Sequence, residues 1–260
     1  DVKGSKAAGA RSLVFIHGWP DTPAVFDRQV AKFQDEYRIV LLTLPGYAGE
    51  PMPFFGHPFD DVVTMLIASV KEAMHGRQDK PILVCHDWGA ALGTIMMDKE
   101  PELFERAVLL DIGCHVGNLS AKATFVYVAY QWTLAVAYLL PRFIGTPITK
   151  FVAWFFNTPR AAVARAHQNM DYLYLRFWQL LLTGRAPAAM GKFKVPKLPI
   201  LFMYGSKKPF MFHSERFVKY LEDTPGSAAI GFPSDHWFFA RERCANDVNV
   251  AIEKFLKSKL

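Results

Sequence analysis

Apolar residues along the chain come in short unbroken runs separated by stretches with helical spacing. Ser12–Ile16, Arg38–Thr43, Pro81–Cys85, Arg106–Leu110, Pro199–Tyr204 and Ala228–Phe232 are compact, β-rich and bounded by Pro, Gly or polar residues. They read as strands. Ala24–Glu36, Phe59–Met74, Trp88–Lys99, Ser214–Asp223 and Asp247–Lys257 carry apolar residues at helical intervals and read as helices. Strands that are apolar throughout and alternate with helices predict a parallel sheet covered on both faces. Ligands in such sheets sit beyond the carboxyl ends of the strands, so chemistry is sought there. The regular alternation is interrupted once, by an insert from about His115 to Lys197. This divides the chain into a first core part at 1–114, an inserted helical cap at 115–197 and a second core part at 198–260.

Composition narrows the class. The 260 residues are 51% hydrophobic and 21% charged, the balance of a folded chain. Three cysteines, Cys85, Cys114 and Cys244, cannot form a fully paired disulfide framework. No zinc spacing and no phosphate-binding glycine loop is present, so neither a metal nor an organic cofactor is expected. The expected location is the cytoplasm or the cytoplasmic side of a membrane. The chain opens on Asp1 without a methionine, which leaves room for a preceding anchor or targeting segment.

Charge is unevenly spread. Ala121–Ile200 holds ten Lys and Arg against one acid, Asp171, and 15 of the 37 aromatic residues, while the whole chain is only +6. One reading is a cap whose aromatics line a pocket and whose charges are solvated. Another is contact with an anionic membrane surface, where each basic residue contributes about 1 kcal/mol. Nucleic acid is not expected, because no reading motif accompanies the charge. Ala123–Pro141 is 19 residues without a charge, but its tyrosines, Gln131, Trp132 and Thr133 fit a buried or interfacial helix better than a membrane span.

Candidate chemistry clusters at the strand ends. The third run passes into Cys85-His86-Asp87-Trp88-Gly89-Ala90. Small residues flank a central side chain, the pattern of a sharp strand-to-helix turn that exposes a nucleophile. An aspartate there is already ionised and suits attack at an sp³ carbon, giving an alkyl ester. The competing reading is that Asp87 only caps the following helix. His17-Gly18-Trp19-Pro20 follows the first run, where the amides of Trp19 and Trp88 can together hold an oxyanion. His236 lies after the last run and before the last helix, late in the chain as a catalytic histidine should be.

These residues resemble the epoxide hydrolase and haloalkane dehalogenase branch of the α/β-hydrolase family. The resemblance rests on His17–Pro20, on His86–Gly93 and on Asp235–Trp237, and covers most of the chain from Ser12 to Leu260. It implies an α/β-hydrolase fold with a helical cap and an Asp87–His236 pair. Three departures stand out. The family usually has an acid in the turn after the fifth run, where this chain has Gly205-Ser206-Lys207-Lys208. Some relatives take that acid from the preceding core strand. Asp111, at the end of the fourth run and 24 residues after Asp87, is assigned the role. Only 11 residues precede Ser12, so the early antiparallel strands are expected to be missing. Cys85 replaces a common glycine and reads as structural.

The resemblance further implies two cap tyrosines that bind and protonate an epoxide oxygen. Tyr130 and Tyr174 are the choice, with Tyr172 as rival for the second role. The expected reaction is hydrolysis of a small lipophilic epoxide to a vicinal diol, with Asp87 as nucleophile and His236, supported by Asp111, activating water. Haloalkane dehalogenation is the alternative, with the Trp88 indole as a halide donor. A non-catalytic binding protein on a hydrolase scaffold is the further alternative.

Overall fold

The computed structural model describes residues 1–7, 9–117, 119–185 and 195–258. Its central sheet has seven strands: β1 (Val2–Gly4), β2 (Ser12–Ile16), β3 (Arg38–Leu42), β4 (Ile82–His86), β5 (Arg106–Leu110), β6 (Ile200–Gly205) and β7 (Ala228–Phe232), in the spatial order β1-β3-β2-β4-β5-β6-β7. Strands β2 to β7 pair parallel. The expectation that no antiparallel strand precedes Ser12 is corrected by β1, which pairs antiparallel with β3 through Val2, Lys3 and Gly4. It escaped the hydrophobic pattern because it is three residues long and largely exposed.

Alternate side chains of the strands face opposite layers. In β2, Leu13 and Phe15 join one apolar layer and Val14 and Ile16 the other. The first layer is completed by α1 (Asp27–Phe33) and by α9 (Glu242–Lys257), the last helix. The second is completed by α2 (Phe59–Ala73), α3 (Trp88–Lys99) and α8 (Glu215–Glu222). Pro23–Phe26 forms a 3-10 turn, so α1 is shorter than the spacing predicts. The last helix starts five residues earlier than its apolar spacing suggests, because Cys244 and Ala245 are buried beside the polar Glu242 and Arg243.

Among its described residues the insert forms four helices, α4 (Ala121–Leu139), α5 (Arg142–Phe155), α6 (Arg160–Arg165) and α7 (Tyr172–Leu182). Of the expected cap, 118 and 186–194, the latter with Lys192 and Lys194, lie outside the described residues. Among the described residues no helix is long and apolar enough to cross a membrane. Polar contacts tie these helices to the core. Arg165 pairs with Asp21 at 2.7 Å, and the Tyr138 hydroxyl donates to the Pro53 carbonyl at 2.7 Å.

Candidate active site

The turn after β4 sets the site. Asp87 adopts φ +53°, a conformation that non-glycine residues rarely take. The turn closes because its neighbours lack side chains. A Cβ on Gly18 would lie 2.4 Å from Asp87 Cβ, and one on Gly89 would lie 2.2 Å from the Ile16 carbonyl oxygen. Cys85 is fully buried and packs where Gly93 leaves space for its Sγ.

Asp87 occupies the cap position just before α3, but its side chain makes no capping hydrogen bond. Its carboxylate points elsewhere. Oδ1 accepts the Trp19 backbone N–H at 2.8 Å, and Oδ2 lies 3.4 Å from His236 Nε2. The other ring nitrogen, Nδ1, is 2.5 Å from Asp111 Oδ2. Asp111 is completely buried and also takes a positive φ, +69°. Its Oδ1 accepts the Gly205 N–H at 2.9 Å and is ion-paired with Lys208. The imidazole therefore spans two carboxylates, and the lysine found in the usual acid's place is bound to one of them.

Electrostatics follow from this placement. Burial disfavours a charged His236, but Asp111 and Asp87 outweigh it and raise its pKa to about 9. Burial also opposes ionisation of Asp87 and Asp111, yet the histidine (with Lys208 for Asp111) keeps both below the usual carboxylate range. Two further histidines are neutral by burial. His17 is lowered to about 4; its Nε2 accepts the Leu44 N–H at 3.1 Å and its Nδ1 faces the Gly18 carbonyl at 3.1 Å. It holds the loop that carries the Trp19 amide. His86, lowered to about 3, lies under His236 with ring centroids 4.4 Å apart.

A cavity of about 330 Å³ opens between α4, α7 and the ends of the strands. Asp87, Trp88, Tyr130, Gln131, Tyr174 and Phe177 are among its lining residues. The rings of Tyr130 and Tyr174 are 6.0 Å apart. Burial raises the pKa of both phenols well above the ordinary value, with the Asp87 charge adding to it. Tyr172 is not brought to this cavity. It is fully buried beside Tyr47 and Gly56, on another side of the helix. The indole Nε1 of Trp88 is sealed and has no partner among the described residues. The indole of Trp19 is engaged, donating to Asp171 Oδ1 at 2.6 Å.

Residues 13–246 match the sequence profile described as "Alpha/beta hydrolase family". The chain belongs to the α/β-hydrolase family. Among its relatives this α/β-hydrolase is 28% identical to mouse "Epoxide hydrolase 4" over 109 residues, 40% of this chain and 30% of that protein. It is 30% identical to mouse "Epoxide hydrolase 3" over 98 residues, 37% of this chain and 26% of that protein. The matched stretches thus span less than a third of these curated relatives. An epoxide hydrolase of Bacillus megaterium, solved with an inhibitor, superposes with a TM-score of 0.74 at 17% identity, covering 99% of this chain and 96% of that one. A haloalkane dehalogenase variant from Bradyrhizobium elkanii gives 0.67 at 16% identity, covering 98% and 92%. These structures share the fold of the hydrolase.

Several participants in this α/β-hydrolase site were not legible beforehand. Tyr127, Gln131 and Phe212 also line the cavity. Tyr127 lies one helical turn before Tyr130, so the spacing alone signals a shared face. Asp171, the single acid of the insert, carried no sequence signal for its contact with Trp19, 152 residues away. Its Oδ2 lies 2.5 Å from the Thr149 hydroxyl, which is also 3.0 Å from the Gly145 carbonyl. One hydroxyl proton cannot serve both oxygens. A protonated Asp171 donating to Thr149 satisfies the set, and burial does raise its pKa well above the ordinary value.

Proposed function

We propose that this α/β-hydrolase opens lipophilic epoxides to vicinal diols through an ester on Asp87. The observation that carries the reading is the carboxylate itself. It is free of capping duty, lines the cavity, holds Oδ1 on the Trp19 amide and turns Oδ2 towards His236. Oδ2 attacks one epoxide carbon and the ring C–O bond breaks. Tyr130 or Tyr174 gives its proton to the leaving oxygen. The transfer is downhill even for a high-pKa phenol, because an alkoxide is more basic still.

Esterification removes the negative charge of Asp87. One of the two carboxylates raising the pKa of His236 is then gone, and the imidazole releases its proton to solvent to become a base, regaining one from solvent when the Asp87 charge returns. Neutral His236, oriented by Asp111, takes a proton from water while the resulting hydroxide attacks the ester carbonyl carbon. The developing charge on Oδ1 rests on the amides of Trp19 and Trp88. Collapse expels the diol with the original Oδ2, and the protons on the histidine and carboxyl neutralise the diol oxygen and the tyrosinate. The largely apolar cavity supports an apolar substrate. The relatives named as epoxide hydrolases agree with this reading. Halide chemistry is less supported, since one indole N–H is sealed and the other is bound to Asp171.

Trapping tests the proposal. His236→Gln incubated with an aryl epoxide should gain one substrate mass on the peptide carrying Asp87, and Asp87→Asn should gain none. A single wild-type turnover in water enriched in heavy oxygen should label Asp87 and leave the diol unlabelled. An adduct only with alkyl bromides, with bromide released, would make the protein a dehalogenase. No adduct with either would make it a binding protein.

A further inference from the structure

The helix α5 is built inside out for a soluble protein. Its buried face is Gly145, Thr149, Val152 and Ala153, mostly small residues. Its large side chains point outward: Phe143 is 78% exposed, Phe151 60%, Trp154 67% and Phe155 65%. The rings of Phe151 and Trp154 are 5.9 Å apart, and those of Phe151 and Phe155 6.4 Å. Phe151, Trp154 and Phe155 form one exposed aromatic cluster, with Phe143 and Pro147 further along the same stripe. Single exposed apolar side chains are ordinary, but a contiguous patch marks a contact surface.

Helix α4 repeats the pattern. Tyr130 and Gln131 face the cavity, while Phe125, Val136 and Leu139 are exposed at 74%, 47% and 43% on an outer stripe. Basic residues border both stripes. Arg142 and Lys150 are eight residues apart on one flank of the α5 ridge, and Lys122 lies one turn before Phe125. None of these three is ion-paired with a described residue. The insert's single acid, Asp171, is completely buried and offers no negative charge to the surface.

We infer that the outer face of α4 and α5 docks this protein on an anionic lipid bilayer. Aromatic side chains enter the headgroup boundary and the flanking Lys and Arg meet lipid phosphates, as in helices that lie in an interface. Neither helix is long and apolar enough to span, so insertion stops at that depth. Charge decides against a second copy of the chain, which would press two cationic faces together. In the docked state α4 stands between lipid and cavity, one face on each.

The test is flotation with vesicles of phosphatidylcholine alone, and of equal parts phosphatidylcholine and phosphatidylserine. It reads binding without turnover, so it stands or falls apart from the epoxide chemistry. The wild-type protein should float with the anionic vesicles and be released by added salt. Phe151→Glu with Trp154→Glu should abolish flotation. Arg142→Glu with Lys150→Glu should weaken it by about fivefold or more for each basic residue lost. Circular dichroism melts show whether each variant is folded, and the wild-type lipid and salt dependence is read without any variant. The inference is overturned if the wild-type protein floats with neither vesicle, or if folded variants bind like wild type. It is also overturned if sedimentation finds a lipid-independent dimer that the aromatic variant dissociates.

Discussion

Lys208 changes what a histidine between two carboxylates can do. Asp87, Asp111, His86, Phe212 and Trp237 surround His236, and Lys208 reaches it through Asp111. A cation on Asp111 dilutes the pull of that carboxylate on the imidazole proton. Lys208→Met should therefore raise the His236 pKa further. In the proposed mechanism ester hydrolysis needs the neutral ring, so its acid limb should move to higher pH by up to about one unit, the low end of what a neighbouring charge produces. A pH profile of single-turnover ester decay reads this, and an unmoved limb would reduce Lys208 to packing. The tyrosines separate just as cleanly. Tyr174→Phe should slow Asp87 alkylation about a hundredfold, whereas Tyr172→Phe, remote from the cavity, should keep the wild-type rate. Rapid-quench measurement of adduct formation distinguishes them.

Elements meet at the site through a few long-range contacts. Asp171, just before α7, grips the indole of Trp19 from the loop after β2 and the hydroxyl of Thr149 on α5. The insert thereby holds the residue whose amide contacts Asp87. If Asp171 is held protonated, Asp171→Asn keeps both contacts and should melt close to wild type. Asp171→Ala strands a buried indole N–H and should cost about 1–3 kcal/mol, read as a lower Tm, with slower ester hydrolysis because Trp19 is no longer held. A large penalty for the Asn variant would instead mean that a charged carboxylate is required there.

The whole molecule carries the signature of its site in its pH dependence. His236 has a folded pKa of about 9, above its unfolded value of about 6.5. Its contribution to stability is complete below about pH 6.5 and disappears as pH rises through about 9. Asp87 and Asp111 are depressed, so theirs is present above the ordinary carboxylate range and fades as pH falls below it. Thermal melts across pH should show stability falling on the alkaline side between about 6.5 and 9, and His236→Gln should flatten that fall. An unchanged alkaline limb in that variant would assign the loss to other groups.

Local structure was written in the chain. Unbroken apolar runs marked six of the seven strands, since a parallel strand buried on both faces has no polar side to alternate with. Small residues around Asp87, the Trp19 loop and the late His236 were legible because a tight turn restricts its own immediate neighbours. The short exposed β1 and the early start of α9 left no such pattern. Folding alone decided the rest, because those choices depend on atoms brought from far along the chain. It put Tyr174 and not Tyr172 at the cavity, joined Lys208 to Asp111, set Asp171 against Trp19, and turned the aromatics of α5 outward. A helix states in its sequence that it has two faces; which one meets the core is settled only when its partners arrive.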